Sequence, residues 1–278
     1  MSSDDSIQTT VDDSVQDYFS PLLGGFGIQC NGRVVCGGGN DSRGRRYKNT
    51  YTWHSNLFRE INQLSFARSF SAAVYVPPNI HTHEGILLVA GGSGEGGTLE
   101  YLVMNDSFEC QDWRVCKDDL PYMVEGHQID ILKNKLILTG GCISGDEPSI
   151  KDVWEGNFSF EEELRVKWSP LPPMIERRCY HVSVVIKEKL FCLGGQDKKS
   201  TEYFSFTTNT WQKGPDLEGT LSGAKGVLNP STGQYFIVGG YCDEGFSNKV
   251  YVFDTQKGLI DTTGRVNIPR QYHISVLL

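Results

Sequence analysis

Five times in this chain a short apolar run closes on two glycines. It reads Val34-Val35-Cys36-Gly37-Gly38, then Leu88-Val89-Ala90-Gly91-Gly92 and Ile137-Leu138-Thr139-Gly140-Gly141. It returns as Phe191-Cys192-Leu193-Gly194-Gly195 and Phe236-Ile237-Val238-Gly239-Gly240. The first glycines lie 54, 49, 54 and 45 residues apart. A unit that recurs about every 50 residues cannot bury its hydrophobic face alone, so neighbouring units must cover one another. The repeats span nearly the whole chain and make it one domain rather than two.

Inside each unit the elements keep one order. A strand of small and branched residues leads through a tight turn into the strand that ends in Gly-Gly. A polar loop, a third strand and a fourth strand follow, then a link containing Pro or Leu. In the second unit the strands are expected at Phe70–Val76, Ile86–Ala90, Leu99–Met104 and Trp113–Cys116. In the fourth they are expected at Tyr180–Ile186, Lys189–Leu193, Glu202–Phe206 and Thr210–Lys213. Glu202, Phe204 and Phe206 alternate with Tyr203 and Ser205, the period of a strand. Asn31-Gly32 and Lys187-Glu188-Lys189 suit tight hairpins. No stretch sustains a helical period, and Glu161–Leu164 is the one candidate for a helical turn.

Composition narrows the function. The formal charge is −8, from 34 acids and 26 bases, which disfavours nucleic acid or an anionic membrane as the main partner. No apolar stretch approaches the ~20 residues of a membrane span. Residues 1–14 read as a disordered acidic tail and 15–278 as the folded domain. Met1–Asp17 has neither a basic nor an apolar segment of the kind that opens a secretory signal, which favours the cytoplasm. The eight cysteines then read mostly as free, small and buried. A two-residue turn at Asn31-Gly32 sets Cys30 opposite Arg33 and Cys36 opposite Gly27, so these two thiols do not meet. Cys110 and Cys116 are spaced to bridge the loop before Trp113. No pair is a CxxC, which disfavours zinc.

Gly194-Gly195, then Tyr203, the turn Thr208-Asn209-Thr210 and Trp211 carry a resemblance to the kelch-repeat family. Trp53, Trp113, Trp168 and Trp211 all fall late in their units, as packing between neighbours requires. The fifth unit, ending Lys257–Ile260, lacks its Trp and should pack less well there. The resemblance implies an all-β propeller of four-stranded blades, usually six or seven; this chain departs from that in carrying five complete ones. A partial sixth is expected from the chain termini, because Arg270-Gln271-Tyr272-His273 repeats Arg178-Cys179-Tyr180-His181. Tyr18–Leu23, which resembles the strand segment at Lys167–Pro172, would be its outer strand. The resemblance also implies a non-enzymatic protein-interaction module, as in ubiquitin-ligase substrate receptors and cytoskeletal adaptors. No segment resembles the BTB and BACK regions that accompany the intracellular receptors. The alternatives are a secreted kelch domain with disulfides and a galactose-oxidase-like enzyme using the central channel.

Candidate chemistry is sparse. His127, His181 and His273 take equivalent places, which permits a metal site across the channel or a bond to a neighbouring strand; the second reading is preferred. Gly91–Gly97 lacks the Lys-Ser/Thr and helix of a phosphate loop. The loop Asp41–Lys48 concentrates positive charge in an acidic protein. Arg43, Arg45, Arg46 and Lys48, with Arg68, Arg178 and Arg270 at the starts of first strands, are expected to form a rim that binds an acidic protein or peptide. No cofactor is expected, and the protein is expected to be a monomer.

Overall fold

The computed structural model describes residues 23–275 apart from 31, 55–56, 79–83, 95, 105–111, 144–147 and 230. The acidic tail, Tyr18–Leu22 of the expected outer strand, and Cys110 lie outside the described residues. Among the described residues every regular element is a strand. Five antiparallel sheets each keep the order first, second, third, fourth. Blade 1 comprises Phe26–Cys30, Arg33–Gly37, Thr50–His54 and Leu57–Ile61. Blade 2 comprises Ala72–Val76, Gly85–Ala90, Leu99–Met104 and Arg114–Val115. Blade 3 comprises Gln128–Leu132, Lys135–Thr139, Val153–Phe160 and Leu164–Leu171. Blade 4 comprises Val182–Ile186, Lys189–Leu193, Thr201–Ser205 and Thr210–Lys213. Blade 5 comprises Lys225–Leu228, Tyr235–Val238, Lys249–Asp254 and Gly258–Arg265, with a small hairpin, Tyr241–Cys242 and Gly245–Phe246, in its loop.

The second strands are apolar at almost every position because blades cover both of their faces. Ile86 to Ala90 are all fully buried. Each of the four interfaces between consecutive blades holds its own core. Phe26, Val35, Leu87 and Trp113 pack between blades 1 and 2. Leu88, Tyr101, Leu138 and Leu164 pack between 2 and 3. Ile137, Leu190 and Phe204 pack between 3 and 4, and Val184, Phe191, Ile237 and Phe253 between 4 and 5. Glu161–Leu164 is no helical turn. Blade 3's outer strands continue until Phe160 stands opposite Leu164, whose side chain is needed in the core between blades 2 and 3.

Trp113 and Trp211 behave as inter-blade packing. Trp113 packs edge-on against Phe26, ring centroids 5.9 Å apart, and its Nε1–H donates to Thr50 Oγ1 at 3.1 Å. Trp211 lies against Phe204 and donates to the Pro172 carbonyl at 2.8 Å. Trp168 faces Gly156 across the outer strand pair, where an added Cβ would meet its ring at 2.8 Å. Trp53 instead sits on a third strand, opposite Phe58. Leu259 takes the Trp place in blade 5, opposite Phe253, and is only partly buried.

Six residues close the hub of the ring. Gly24, Phe70, Gly126, Tyr180, Gly223 and Tyr272 all have positive φ, between 51° and 70°. Each donates its N–H to the carbonyl of the one before it, at 2.6–3.0 Å, and Gly24 donates to Tyr272 to complete the circle. Phe70 and Tyr180 therefore stand outside their first strands, which begin two residues later than expected. Six rings would not fit. A Cβ on Gly24, Gly126 or Gly223 would stand 2.6–2.7 Å from the ring of Phe70, Tyr180 or Tyr272 respectively. Aromatic residues and glycines alternate accordingly, and the three rings meet edge to face with centroids 5.0–5.6 Å apart.

Among the described residues there is no sixth four-stranded sheet, and Arg270–Ser275 forms no strand. Tyr272 still fills the sixth hub position, and Ile274 packs where Gly27 has no side chain. Leu23 pairs with Asn40 of blade 1 rather than with an outer strand.

Candidate protein-interaction face

In every blade the link to the next sector hydrogen-bonds to the loop that follows Gly-Gly. Leu64 and Arg68 donate to Lys48 and Tyr47, Leu120 and Val124 to Gly97 and Gly96, and Met174 and Arg178 to Lys151 and Ile150. Leu217 and Leu221 donate to Lys199 and Lys198, and Val266 and Arg270 to Asn248 and Ser247. Loops and links therefore share one face, as rotation of one unit about a channel requires.

The basic loop of blade 1 is folded on Asp41. Its Oδ1 accepts from the backbone N–H groups of Arg43 and Arg45, both at 2.9 Å, and its Oδ2 from the Tyr47 hydroxyl at 3.0 Å. These bonds, the Arg45 N–H first, hold the Asp41 carboxyl below the usual carboxylate range. The Arg45 guanidinium stacks over the Tyr47 ring, and Arg46 reaches Ser93 Oγ of blade 2 at 2.8 Å. Arg43, Arg45, Arg46 and Lys48 are all exposed. Among the described residues none of them forms an ion pair with an acid.

Arg68 and Arg178 are not on the rim. Both are buried, at 0% and 1% exposure. Arg178 Nε binds Glu202 Oε1 at 2.8 Å, and its Nη1 donates to the carbonyls of Gly194 and Ser200 at 2.7 and 2.8 Å. Glu202 in turn accepts the backbone N–H groups of Ile175 and Glu176. Arg68 repeats the arrangement with Glu100, Gly91 and Thr98, while Glu100 accepts from Ser65 and Phe66. Each pair ties a link to the Gly-Gly loop of the blade that follows it and offers nothing to a ligand. Arg270 holds the same place in the sequence but is only half-buried, and its Nε donates to the nearby Ile268 carbonyl.

Comparison with known proteins agrees with this geometry. Residues 177–218 match the kelch motif. The kelch repeat and BTB domain-containing protein 2 of cowpox virus is 27% identical over 177 residues, 53% of this chain and 30% of that protein. Human kelch-like protein 15 is 27% identical over 180 residues, 56% of this chain and 28% of that protein. The solved structure of YjhT superimposes with a TM-score of 0.69 at 14% identity, covering 92% of this chain and 88% of that one. The chain is a β-propeller whose fourth blade carries a kelch motif. The matches span less than a third of the length of the curated relatives named here.

In this ring the three repeated histidines pack between blades. The imidazole Cε1 atoms of His127, His181 and His273 lie against Gly91, Gly140 and Gly239, the first glycines of the preceding blades. His181 Nε2 also meets Thr139 Oγ1 at 3.1 Å. Burial first, and nearby Arg or Lys charge second, pull all three down to about 3, so the rings are neutral. Among the described residues no group of three His, Cys, Asp or Glu side chains could hold a metal. The channel encloses about 250 Å³ and is lined by first strands, with Asp130 and Lys225 among its polar walls. The aromatic hub was missed in the sequence. Its signal was present in Phe70, Tyr180 and Tyr272 two residues after Arg, and Gly126 and Gly223 two residues after Val124 and Leu221.

Proposed function

We propose that this kelch propeller is an adaptor that binds an acidic segment of a partner protein across the loop face of blades 1 and 2. The single observation behind the reading is the Asp41-centred loop. An anchored turn leaves three guanidiniums and an ammonium exposed, with no ion-paired carboxylate among the described residues. Fixing the loop beforehand reduces the ordering cost of binding, and guanidiniums favour carboxylates through paired, charge-assisted hydrogen bonds. The BTB-kelch and kelch-like relatives lend support to an adaptor role, although the matches cover under a third of those proteins.

The test uses fluorescent peptide pools of fixed length, one rich in Asp and Glu and one in Lys and Arg. The acidic pool should bind preferentially and weaken with salt. Changing Arg43, Arg45 and Arg46 together to Ala should leave Tm nearly unchanged and weaken that binding by ~10-fold or more, equivalent to about 1.4 kcal/mol. Equal binding by the triple variant would refute the site.

A further inference from the structure

Cys142 and Cys179 belong to different blades and lie 37 positions apart in the chain, yet the loop face brings them together. Cys142 follows Gly140-Gly141 of blade 3; Cys179 stands between Arg178 and the hub residue Tyr180, before blade 4. The Gly141 N–H donates to the Arg178 carbonyl at 2.7 Å, which sets the two following residues side by side. Cys142 is fixed by a two-way backbone bridge to Glu125, at 2.9 and 3.0 Å, and the Cys179 carbonyl accepts from Gln196 N–H at 3.0 Å. Both side chains are buried, with the Cys142 thiol donating to the Glu125 carbonyl at 3.7 Å and the Cys179 thiol to Gln196 Oε1 at 3.4 Å, and the two sulfurs are near enough to perturb each other. The Tyr180 hydroxyl, which donates to Glu125 Oε1 at 3.0 Å, borders the same spot.

We propose that Cys142 and Cys179 form a reversible, peroxide-driven disulfide that staples blade 3 to blade 4 beside the hub. The two sulfurs have different parts. The neighbouring Cys179 thiol, opposed by burial, leaves Cys142 below the ordinary thiol range and favours its thiolate. The same contact, together with burial, raises Cys179. The Cys142 thiolate attacks one oxygen of hydrogen peroxide; an S–O bond forms, the O–O bond breaks, and hydroxide leaves and is protonated to water. Cys179 sulfur then attacks Cys142 sulfur. The S–S bond forms, the S–O bond breaks, and the Cys179 proton leaves with the departing hydroxide as a second water. Two thiols lose two electrons in all, and one peroxide is reduced to two waters. A dithiol reductant reverses the step by exchange. The bond closes a loop holding the outer strands of blade 3, so the oxidised protein should be harder to unfold.

The full chain is treated with a few equivalents of hydrogen peroxide, alkylated under denaturing, non-reducing conditions, and mapped by peptide mass spectrometry. The expected product is one linked peptide pair joining residues 142 and 179, lost on adding dithiothreitol. Tm should rise by about 5 °C or more on oxidation. Cys142→Ser and Cys179→Ser should each abolish the link and the rise, whereas Cys242→Ser should keep both. Full alkylation of both cysteines after oxidation would overturn the proposal. So would a link from either one to a different cysteine. The wild-type map decides the matter even if a variant does not fold.

Discussion

Replacing Glu202 by Gln keeps the shape of a buried side chain and removes one charge. Glu202 accepts three donors: Ile175 N–H at 2.6 Å on Oε2, with Glu176 N–H at 3.2 Å and Arg178 Nε at 2.8 Å on Oε1. Gln has one acceptor oxygen, so whichever way the amide turns, its NH2 faces at least one of those donors. The Arg178 guanidinium would also remain at 1% exposure with no counter-charge. Breaking one side of a buried, hydrogen-bonded ion pair costs about 3–5 kcal/mol. At this chain length that lowers Tm by roughly 10 °C. The pair is shielded from solvent ions, so the loss should be nearly the same at low and high salt. Denaturant titration and calorimetry of Glu202→Gln, Arg178→Ala and Arg270→Ala make the comparison. The first two should lose several kcal/mol, and Arg270→Ala, at a half-buried position, should lose no more than about 1 kcal/mol. If Arg270→Ala proved as damaging as Arg178→Ala, position in the repeat rather than the buried pair would govern the effect. If Glu202→Gln unfolded at the wild-type temperature, the pair would not be holding the link at all.

Two further perturbations follow from the hub and its surroundings. His127 and His181 are buried and neutral with values near 3, against 6.5 when unfolded, so the unfolded chain takes up protons first. Their stabilisation is complete above pH 6.5 and is lost as pH falls towards 3, by about 2 kcal/mol each at pH 5. Asp130, raised to about 6 by burial, has the opposite sign and returns about 1 kcal/mol over the same range. Tm should therefore fall from pH 7 to pH 5, and His127→Gln with His181→Gln should flatten that slope; an equally steep slope in the double variant would reject the assignment. Gly126→Ala adds a Cβ 2.7 Å from the Tyr180 ring at a φ of +62° and should cost roughly 2–4 kcal/mol. Gly32→Ala, also at positive φ but with open space around it, should cost only about 1 kcal/mol; equal melting curves for the two would rule out steric crowding at the hub.

Strand order and interface packing could be read in advance because both follow from local pattern. A continuous apolar run ending at Ala90 or Leu193 means a strand covered on both faces, wherever in the ring it lies. The hairpin register that separates Cys30 from Cys36 followed from counting across a two-residue turn, and Cys30 indeed pairs with Arg33 and Gly27 with Cys36. Three things were not legible. Arg68 and Arg178 look like surface charges until their carboxylates are located 32 and 24 positions on, since pairing at that distance depends on the folded loop. Phe70 and Tyr180 continue an apolar pattern and read as strand, whereas the hub demands left-handed backbone there. The triplet Gly37-Gly38-Gly39 hid its register: Gly37 ends the strand, while Gly38 and Gly39 carry the paired positive φ values seen at Gly91 and Gly92. Of the candidate site, the basic loop could be found by charge alone, but the part played by Asp41 could not.

The hub explains why identical-looking repeats spend the same positions differently. Six left-handed residues share one small circle, and the Cβ distances allow large rings at only every second place. The same alternation runs outward along the links. Where the hub residue is Phe70 or Tyr180, Arg68 or Arg178 stands two residues earlier and meets Glu100 or Glu202 on the third strand. Where it is Gly126 or Gly223, the corresponding residues are Val124 and Leu221, and the third-strand positions hold Trp154 and Tyr251 in the adjoining hydrophobic clusters. An ion pair in one sector thus alternates with an apolar pair in the next. Tyr272 puts Arg270 in the ion-pair class, but among the described residues no third strand stands there to bring a carboxylate. Its guanidinium turns to the Ile268 carbonyl instead. Aligning single repeats therefore groups three arginines as equals. The alternating pair of sectors is the unit that separates Arg68 and Arg178, fixed by buried acids, from Arg270.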